Sequence, residues 1–243
     1  MTNRLRRMTC CFAALVFGSI AALNADTIYN NSTNDLGTRF DPGTKEVGDE
    51  IILAGSARFL TNFSFEFWGT NTANPSAFSS TVTATVRFYL NDGPLFNGYA
   101  TPGTLVYSSG PFAITPTVRS TLIYKAGSDF PLGGLFLGSG PGGTLLTNLT
   151  WSVQFAGMGA TDSAGVDIYS PPVVGGEHTD YWEYNGVAWS LKTNSVPMDF
   201  AAVMQASAPE PSPVVLSLLG GLAMLLWWGR SPRKTARSRT PRL

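Results

Sequence analysis

The sequence contains one histidine, His178, which lies in the segment Gly-Gly-Glu-His-Thr-Asp. A histidine can act as the base of a hydrolytic triad when a nucleophile and an orienting acid lie beside it, and Glu177 or Asp180 could supply that acid. No Gly-x-Ser-x-Gly elbow presents a serine nucleophile, and a catalytic zinc needs two or three His or Cys ligands. We therefore interpret His178 as a polar loop residue and assign no catalytic residue and no metal ligand.

Two stretches rich in Asp and Asn, residues 30–41 and 162–167, offer the oxygen ligands that Ca²⁺ prefers. Neither has the EF-hand spacing, so solvated turn residues are the favoured interpretation and bound Ca²⁺ is the alternative. Paired carboxylates could also catalyse glycoside hydrolysis, but a chain with sixteen acidic residues contains pairs by chance. The sequence predicts a protein that is not an enzyme and has no cofactor, with a secreted hydrolase as one alternative.

Three aromatic residues flank a predicted turn at Asn185-Gly186, namely Trp182, Tyr184 and Trp189. Sugar-binding β-sandwiches stack aromatic faces on pyranose rings beside Asn or Asp side chains. The competing interpretation, which we favour, is that these residues pack the hairpin through cross-strand pairs. They remain the candidate sugar-stacking residues of a carbohydrate-binding module.

The elements that would position these residues are β-strands, because apolar residues alternate with polar ones along much of the chain. Such alternation is typical of antiparallel sheets with one buried face. Asn-Gly between two aromatic runs favours a type I′ hairpin at 185–186. The segment 26–206 is therefore predicted to be one all-β domain, an antiparallel β-sandwich that is jelly-roll-like. The alternating apolar positions are Phe59, Phe63, Phe65 and Phe67; Val82, Ala84, Val86, Phe88 and Leu90; and Leu149, Trp151, Val153 and Phe155.

The first 25 residues have the three parts of a secretory signal peptide. Arg4, Arg6 and Arg7 precede an apolar run at 10–23, and Ala25 offers a small residue for cleavage. Both cysteines, Cys10 and Cys11, lie in this segment. The mature protein is therefore expected to have no disulfide and no thiol chemistry.

Residues 214–229 are sixteen uncharged residues that follow a Pro-rich linker at 207–213. As a helix they rise about 24 Å, which is short for a hydrocarbon core of about 30 Å but sufficient if the lipid thins and flanking arginine snorkels. The tail 230–243 carries six basic residues and no acid, including Arg230, Arg233 and Lys234. These cations predict a transmembrane helix with a cytoplasmic tail.

The order Pro209-Glu210-Pro211, apolar helix, basic tail resembles the PEP-CTERM sorting signal of exported bacterial proteins. This resemblance implies recognition by an exosortase, a membrane-embedded processing enzyme, with Pro209, Glu210 and Pro211 as the sorting motif. Ala208 stands where the family often has Val, and the tail is longer than usual. Residues 46–68 more loosely resemble the opening of many exported proteins with this signal, whose β-sandwich bodies have no assigned function.

Charge is unevenly distributed along the chain. Residues 26–213 hold seven basic and all sixteen acidic residues, a formal charge of −9. Such a domain is a poor electrostatic partner for nucleic acid. We expect an exported, membrane-anchored protein that reaches the cell surface or extracellular matrix, where it serves as a structural component associated with biofilm or exopolysaccharide.

Overall fold

The computed structural model describes residues 25–208, which form antiparallel β-sheets with no α-helix among them. No helix in this described part is long and apolar enough to cross a membrane. The predicted signal peptide, sorting motif, transmembrane helix and cytoplasmic tail all lie outside the described residues, apart from Ala25. One short 3₁₀ turn spans Pro141–Gly143.

The strands, in chain order, are β1 (Asp26–Asn31), β2 (Asp35–Phe40), β3 (Glu46–Ile52), β4 (Phe59–Asn71), β5 (Thr83–Tyr89), β6 (Leu95–Phe96), β7 (Tyr99–Ala100), β8 (Leu105–Ser108), β9 (Phe112–Ala113), β10 (Thr117–Lys125), β11 (Leu135–Phe136), β12 (Asn148–Ala156), β13 (Asp162–Tyr169), β14 (Gly176–Glu177), β15 (Tyr181–Tyr184), β16 (Trp189–Lys192) and β17 (Ala202–Ser207).

Two sheets share these strands. The seven-stranded sheet has the order β1-β17-β4-β13-β2, with β10 and β11 also paired to β4. The eight-stranded sheet has the order β16-β15-β3-β12-β5-β8, with β14 paired to β3 and β9 to β5. The strands β6 and β7 form a separate hairpin. The all-β prediction is confirmed, and the architecture is consistent with a β-sandwich.

The core lies between the two sheets and is rich in aromatic residues. The ring of Trp151 on β12 lies 5.3 Å from Phe63 and 5.6 Å from Phe65, both on β4. Ala84, Val86 and Phe88 on β5 are completely buried, as their alternation predicts. Apolar burial of this kind stabilises the fold by roughly 1.5–3 kcal/mol for each large side chain.

The predicted turn at 185–186 is a hairpin of a different type. The pairing of Tyr184 with Trp189 leaves a four-residue loop, in which Gly186 but not Asn185 has a positive φ. A type I′ turn needs positive φ at both central residues, so that prediction is wrong. The amides of Val187 and Ala188 instead donate to Asn185 Oδ1, and this side-chain cap holds the wider loop.

A two-residue hairpin loop with the type I′ geometry lies instead at Asn97-Gly98. Phe96 pairs with Tyr99 across it, and Asn97 and Gly98 have φ angles of 52° and 90°. Positive φ at both positions is what a type I′ turn requires. The resulting β6–β7 hairpin places the Phe96 ring beside the ring of Trp182, with 6.4 Å between their centroids.

Candidate functional site

The outer face of the eight-stranded sheet carries the polar side chains that alternate with the core residues of its strands. On β3 these are Glu46 and Glu50, because Val47, Asp49 and Ile51 point inward. The neighbouring strands β12 and β5 contribute Ser152, Gln154, Arg87 and Tyr89 by the same alternation. Since a strand's side chains change face at every residue, this polar surface follows directly from the burial of the other face.

A cavity of about 490 Å³ opens on this face. We call it the outer-face pocket. Its floor comes from β3, β5 and β12, and its wall from the β15–β16 hairpin. The lining residues are Thr44, Lys45, Glu46, Arg87, Tyr89, Gln154, Tyr184, Asn185 and Gly186.

Three aromatic rings gather at one side of the outer-face pocket. The Trp189 ring centroid lies 5.1 Å from that of Tyr184 and 5.5 Å from that of Tyr89. In the sheet, three strands separate Trp189 on β16 from Tyr89 on β5. Strands in a flat sheet lie about 4.8 Å apart, so these rings meet because the long side chains reach across a curled face. All three rings are partly exposed.

Glu46 organises the floor of the outer-face pocket. Its carboxylate accepts hydrogen bonds from Arg87 Nη1 at 2.8 Å, Ser152 Oγ at 2.6 Å and Tyr89 Oη at 3.1 Å. Burial and the adjacent negative charge of Glu46 raise the pKa of Tyr89 far above its usual range, so its hydroxyl stays a donor. The network fixes Arg87 and Tyr89 in one arrangement before any ligand arrives.

The charges around the outer-face pocket are paired within the protein. Arg87 is paired with Glu46 at 2.8 Å, and Lys45 with Glu183 at 2.9 Å. Gln154 adds a neutral amide that contacts Arg87 at 3.3 Å. Aromatic rings beside fixed polar groups suit a ligand with an apolar face and many hydroxyls, and the paired charges favour one without net charge.

The structure brings two of the three candidate sugar-stacking residues to this site and places the third elsewhere. Tyr184 and Trp189 meet as a cross-strand pair, whereas Trp182 is only 1% exposed. The Phe96 ring lies 6.4 Å from the Trp182 ring, and Trp182 Nε1 donates to Glu50 Oε2 at 3.5 Å. The expectation that Trp182 could stack on a ligand is wrong for this conformation, because the indole is covered.

The structure places the histidine away from the outer-face pocket. His178 is exposed and follows β14, and it is not among the residues that line that pocket. Its neighbour Glu177 accepts hydrogen bonds from Tyr29 and Asn31. The outer-face pocket itself has a single carboxylate among its lining residues, Glu46, which is already bonded.

The two stretches proposed for Ca²⁺ use their oxygens to hold turns. Asp35 and Asp41 accept hydrogen bonds from the amides of Gly37 and Gly43. Asp162 accepts from Ser79 N at 2.9 Å, Ser79 Oγ at 2.7 Å and the Gly159 amide at 2.9 Å. Burial opposes ionisation of Asp162, but these hydrogen bonds outweigh it and lower its pKa. Within residues 25–208, no group of three His, Cys, Asp or Glu side chains is arranged to hold a metal ion.

The sequence did not single out Glu46, Arg87, Tyr89 or Gln154, which build the floor of the outer-face pocket. The available signal was that Arg87, Tyr89 and Gln154 each occupy a polar position in a predicted strand; Glu46 lies in a segment that was not predicted to be a strand. Their convergence depends on the strand order β15-β3-β12-β5.

No protein-family model, no curated protein and no solved structure matches this chain.

Proposed function

We propose that this chain is an exported protein of the cell surface or extracellular matrix, with a jelly-roll-like sandwich that an exosortase-type enzyme sorts through Pro209, Glu210 and Pro211. The position of the last strand carries this proposal. The strand β17 ends at Ser207, and the compact unit that contains both sheets ends at Ala208. The tripeptide therefore begins directly after the folded unit.

The composition of the described domain fits the same role. Residues 25–208 contain no cysteine, and the core alone stabilises them through a large set of fully buried aromatic and aliphatic side chains. In this proposal the chain is held in the membrane by residues 214–229, and Arg230, Arg233 and Lys234 keep the tail cytoplasmic. The domain would then face the surface or the matrix.

Replacement of Glu210 tests the sorting step. In a host that carries an exosortase, we expect Glu210→Gln to be exported normally but to accumulate in the membrane fraction, because the motif has lost its only charge. Ser212→Ala is the matched control in the same segment and should be released like the wild type. Normal processing and release of Glu210→Gln would contradict the sorting proposal.

A second candidate function is the binding of extracellular polysaccharide, and the outer-face pocket favours it. Tyr89 and Tyr184 line the pocket together with Arg87 and Gln154, and the partly exposed ring of Trp189 packs against both tyrosines. A sugar has an apolar ring face and a hydroxyl-rich edge, and this pocket offers a partner for each. Under this candidate the protein is a matrix component that contacts exopolysaccharide directly.

A glycan pull-down with the mature protein tests this candidate. We expect Trp189→Ala to lose most retention on neutral polysaccharide, because stacking on one aromatic face is worth about 1–3 kcal/mol by analogy with other ring ligands. Val118→Ala removes an exposed apolar side chain from the other sheet and should bind normally. Equal retention of both variants would contradict the sugar-binding role.

A further inference from the structure

Three carboxyl side chains meet in the interior at one end of the sandwich. Asp49 lies on the inward face of β3, Glu177 on β14, and Asp199 shortly before β17. We call these three the carboxyl cluster. Because β3 and β14 belong to the eight-stranded sheet and β17 to the seven-stranded sheet, the cluster joins the two layers.

Two members of the carboxyl cluster are buried, Glu177 is half-buried, and all three are short of hydrogen-bond donors. Asp49 and Asp199 are both 0% exposed. The Phe200 amide donates to Asp49 Oδ2 at 2.9 Å, and Tyr29 Oη donates to Glu177 Oε2 at 2.8 Å. Asp49 Oδ1, Glu177 Oε1 and both carboxyl oxygens of Asp199 are buried with no partner.

A neutral side chain also faces the carboxyl cluster with an unpartnered atom. Asn31 is 1% exposed, and its Nδ2 donates to Glu177 Oε2 at 3.2 Å, while its Oδ1 has no partner. Buried polar atoms normally find a partner, and leaving one unpaired destabilises the fold. These unpartnered oxygens require hydrogen-bond donors, and an ionised carboxylate has none to offer because it can only accept.

The charged groups that face the carboxyl cluster are almost all acidic. Glu50 and Asp180 add negative charge from β3 and from the segment before β15, and Tyr29 faces it from β1. His178 is the one group among these that can carry positive charge. Ionisation of all three carboxyls in this surrounding would be unfavourable, because unpaired charge in the interior is strongly destabilising.

We propose that protons bound by the carboxyl cluster hold the two sheets together. Asp49 is held protonated, and Glu177 and Asp199 share one proton in an O–H···O hydrogen bond. Loss of these protons in alkali separates the two sheets at this end of the sandwich. The shared proton supplies a donor between Asp199 and Glu177, whose Oε1 otherwise has no partner. The proton on Asp49 turns an orphaned acceptor into a hydroxyl that can donate to a neighbouring oxygen. Deprotonation places like charges on opposite sheets.

The direction of titration agrees with this geometry. Burial, the hydrogen bond with Asp199 and the charge of Asp49 raise the pKa of Glu177 to about 10. Burial and the neighbouring acids also raise the pKa of Asp49 and of Asp199. The same carboxyls have a pKa of about 4 in an unfolded chain. Between about pH 4 and 10 the folded chain therefore binds more protons, so its stability is fully present below that window and falls as pH rises through it.

A bound cation is the competing way to neutralise the carboxyl cluster. Two observations oppose it: the three carboxyls are not arranged as a metal centre, and Glu177 Oε2 already receives two donors, from Tyr29 and Asn31. These two donors occupy Glu177 Oε2, so that oxygen is engaged in a hydrogen-bond network and not directed at a cation. The experiment distinguishes the two cases directly.

The test is urea unfolding of the mature protein, followed by circular dichroism from pH 5 to pH 9. We expect the unfolding constant to rise by up to tenfold per pH unit for each proton retained in the fold. Asp199→Asn, which keeps the shape and adds an N–H donor, should flatten this slope by about one proton. Asp26→Asn, an exposed carboxyl on β1, should leave the slope unchanged.

If Asp199→Asn does not fold, two further measurements test for the bound protons. The wild type should show an infrared band from protonated carboxyls at pH 7 that disappears on titration to alkaline pH, and Glu177→Gln should weaken this band. An unchanged pH slope in a folded Asp199→Asn, or no protonated carboxyl band at pH 7, would overturn the proposal. So would a rise in the wild-type unfolding midpoint on adding Ca²⁺ that Asp199→Asn abolishes, because the cluster would then be a cation site.

Discussion

Replacing Trp182 with alanine tests whether this tryptophan stabilises the fold or binds a ligand. Trp182 lies on the outer face of β15, and the Phe96 ring of the β6–β7 hairpin covers it. With 1% of its surface exposed, Trp182→Ala removes a buried aromatic side chain and leaves a cavity. Such changes cost about 3–5 kcal/mol. We expect about 3 kcal/mol here, because a two-stranded hairpin can settle into part of the space.

A loss of this size should lower the melting temperature by about 6–12 °C, since a domain of this length shifts by about 2–4 °C per kcal/mol. The assay is urea and thermal unfolding monitored by far-ultraviolet circular dichroism, which does not depend on the removed fluorophore. Trp189→Ala is the matched control. Its ring is partly exposed, so the loss of its contacts with Tyr184 and Tyr89 should cost less than Trp182→Ala does.

The two tryptophans should also differ in the glycan pull-down. Folded Trp182→Ala, measured well below its melting temperature, should retain binding, whereas Trp189→Ala should lose it. If Trp182→Ala were as stable as the wild type and lost binding, the covered position of Trp182 would be refuted. The indole would then have to be accessible in solution.

Two further changes test the packing of the sheets and the floor of the outer-face pocket. Gly165→Ala on β13 places a methyl group against the backbone carbonyl of Phe40, and we expect a loss of about 3 kcal/mol or more in the free energy of unfolding; Gly133→Ala, where the added methyl meets nothing, should stay within about 0.5 kcal/mol, and equal urea midpoints would contradict the tight β2–β13 contact. Glu46→Ala leaves Arg87 and the buried Ser152 without their carboxylate partner, and should lower the free energy of unfolding by about 3 kcal/mol. Its control, Glu183→Ala, breaks an ion pair with Lys45, whose side chain is 53% exposed, and should cost less than about 1 kcal/mol; an equally small loss in Glu46→Ala would show that the network does not support the pocket.

The alternation of apolar residues predicted the strands well where one face is buried against the other sheet. Phe63, Phe65 and Phe67 on β4, and Ala84, Val86 and Phe88 on β5, all lie in the core. This works because successive side chains of a strand point to opposite faces, so every second residue points inward and is apolar. Turn geometry was harder to predict. Two Asn-Gly pairs occur, and the one at 97–98 rather than that at 185–186 has the type I′ conformation.

The sequence by itself determined the all-β class, the inward face of β4, β5 and β12, the absence of cysteine after residue 11 and the acidic charge of the domain. These are properties of composition and short-range pattern. Tertiary structure alone decided that Tyr89 meets Trp189, that Phe96 covers Trp182, and that Asp49, Glu177 and Asp199 converge. Each of these contacts joins segments far apart in the chain, and strand order and register, which depend on the packing of the whole sandwich, bring them together.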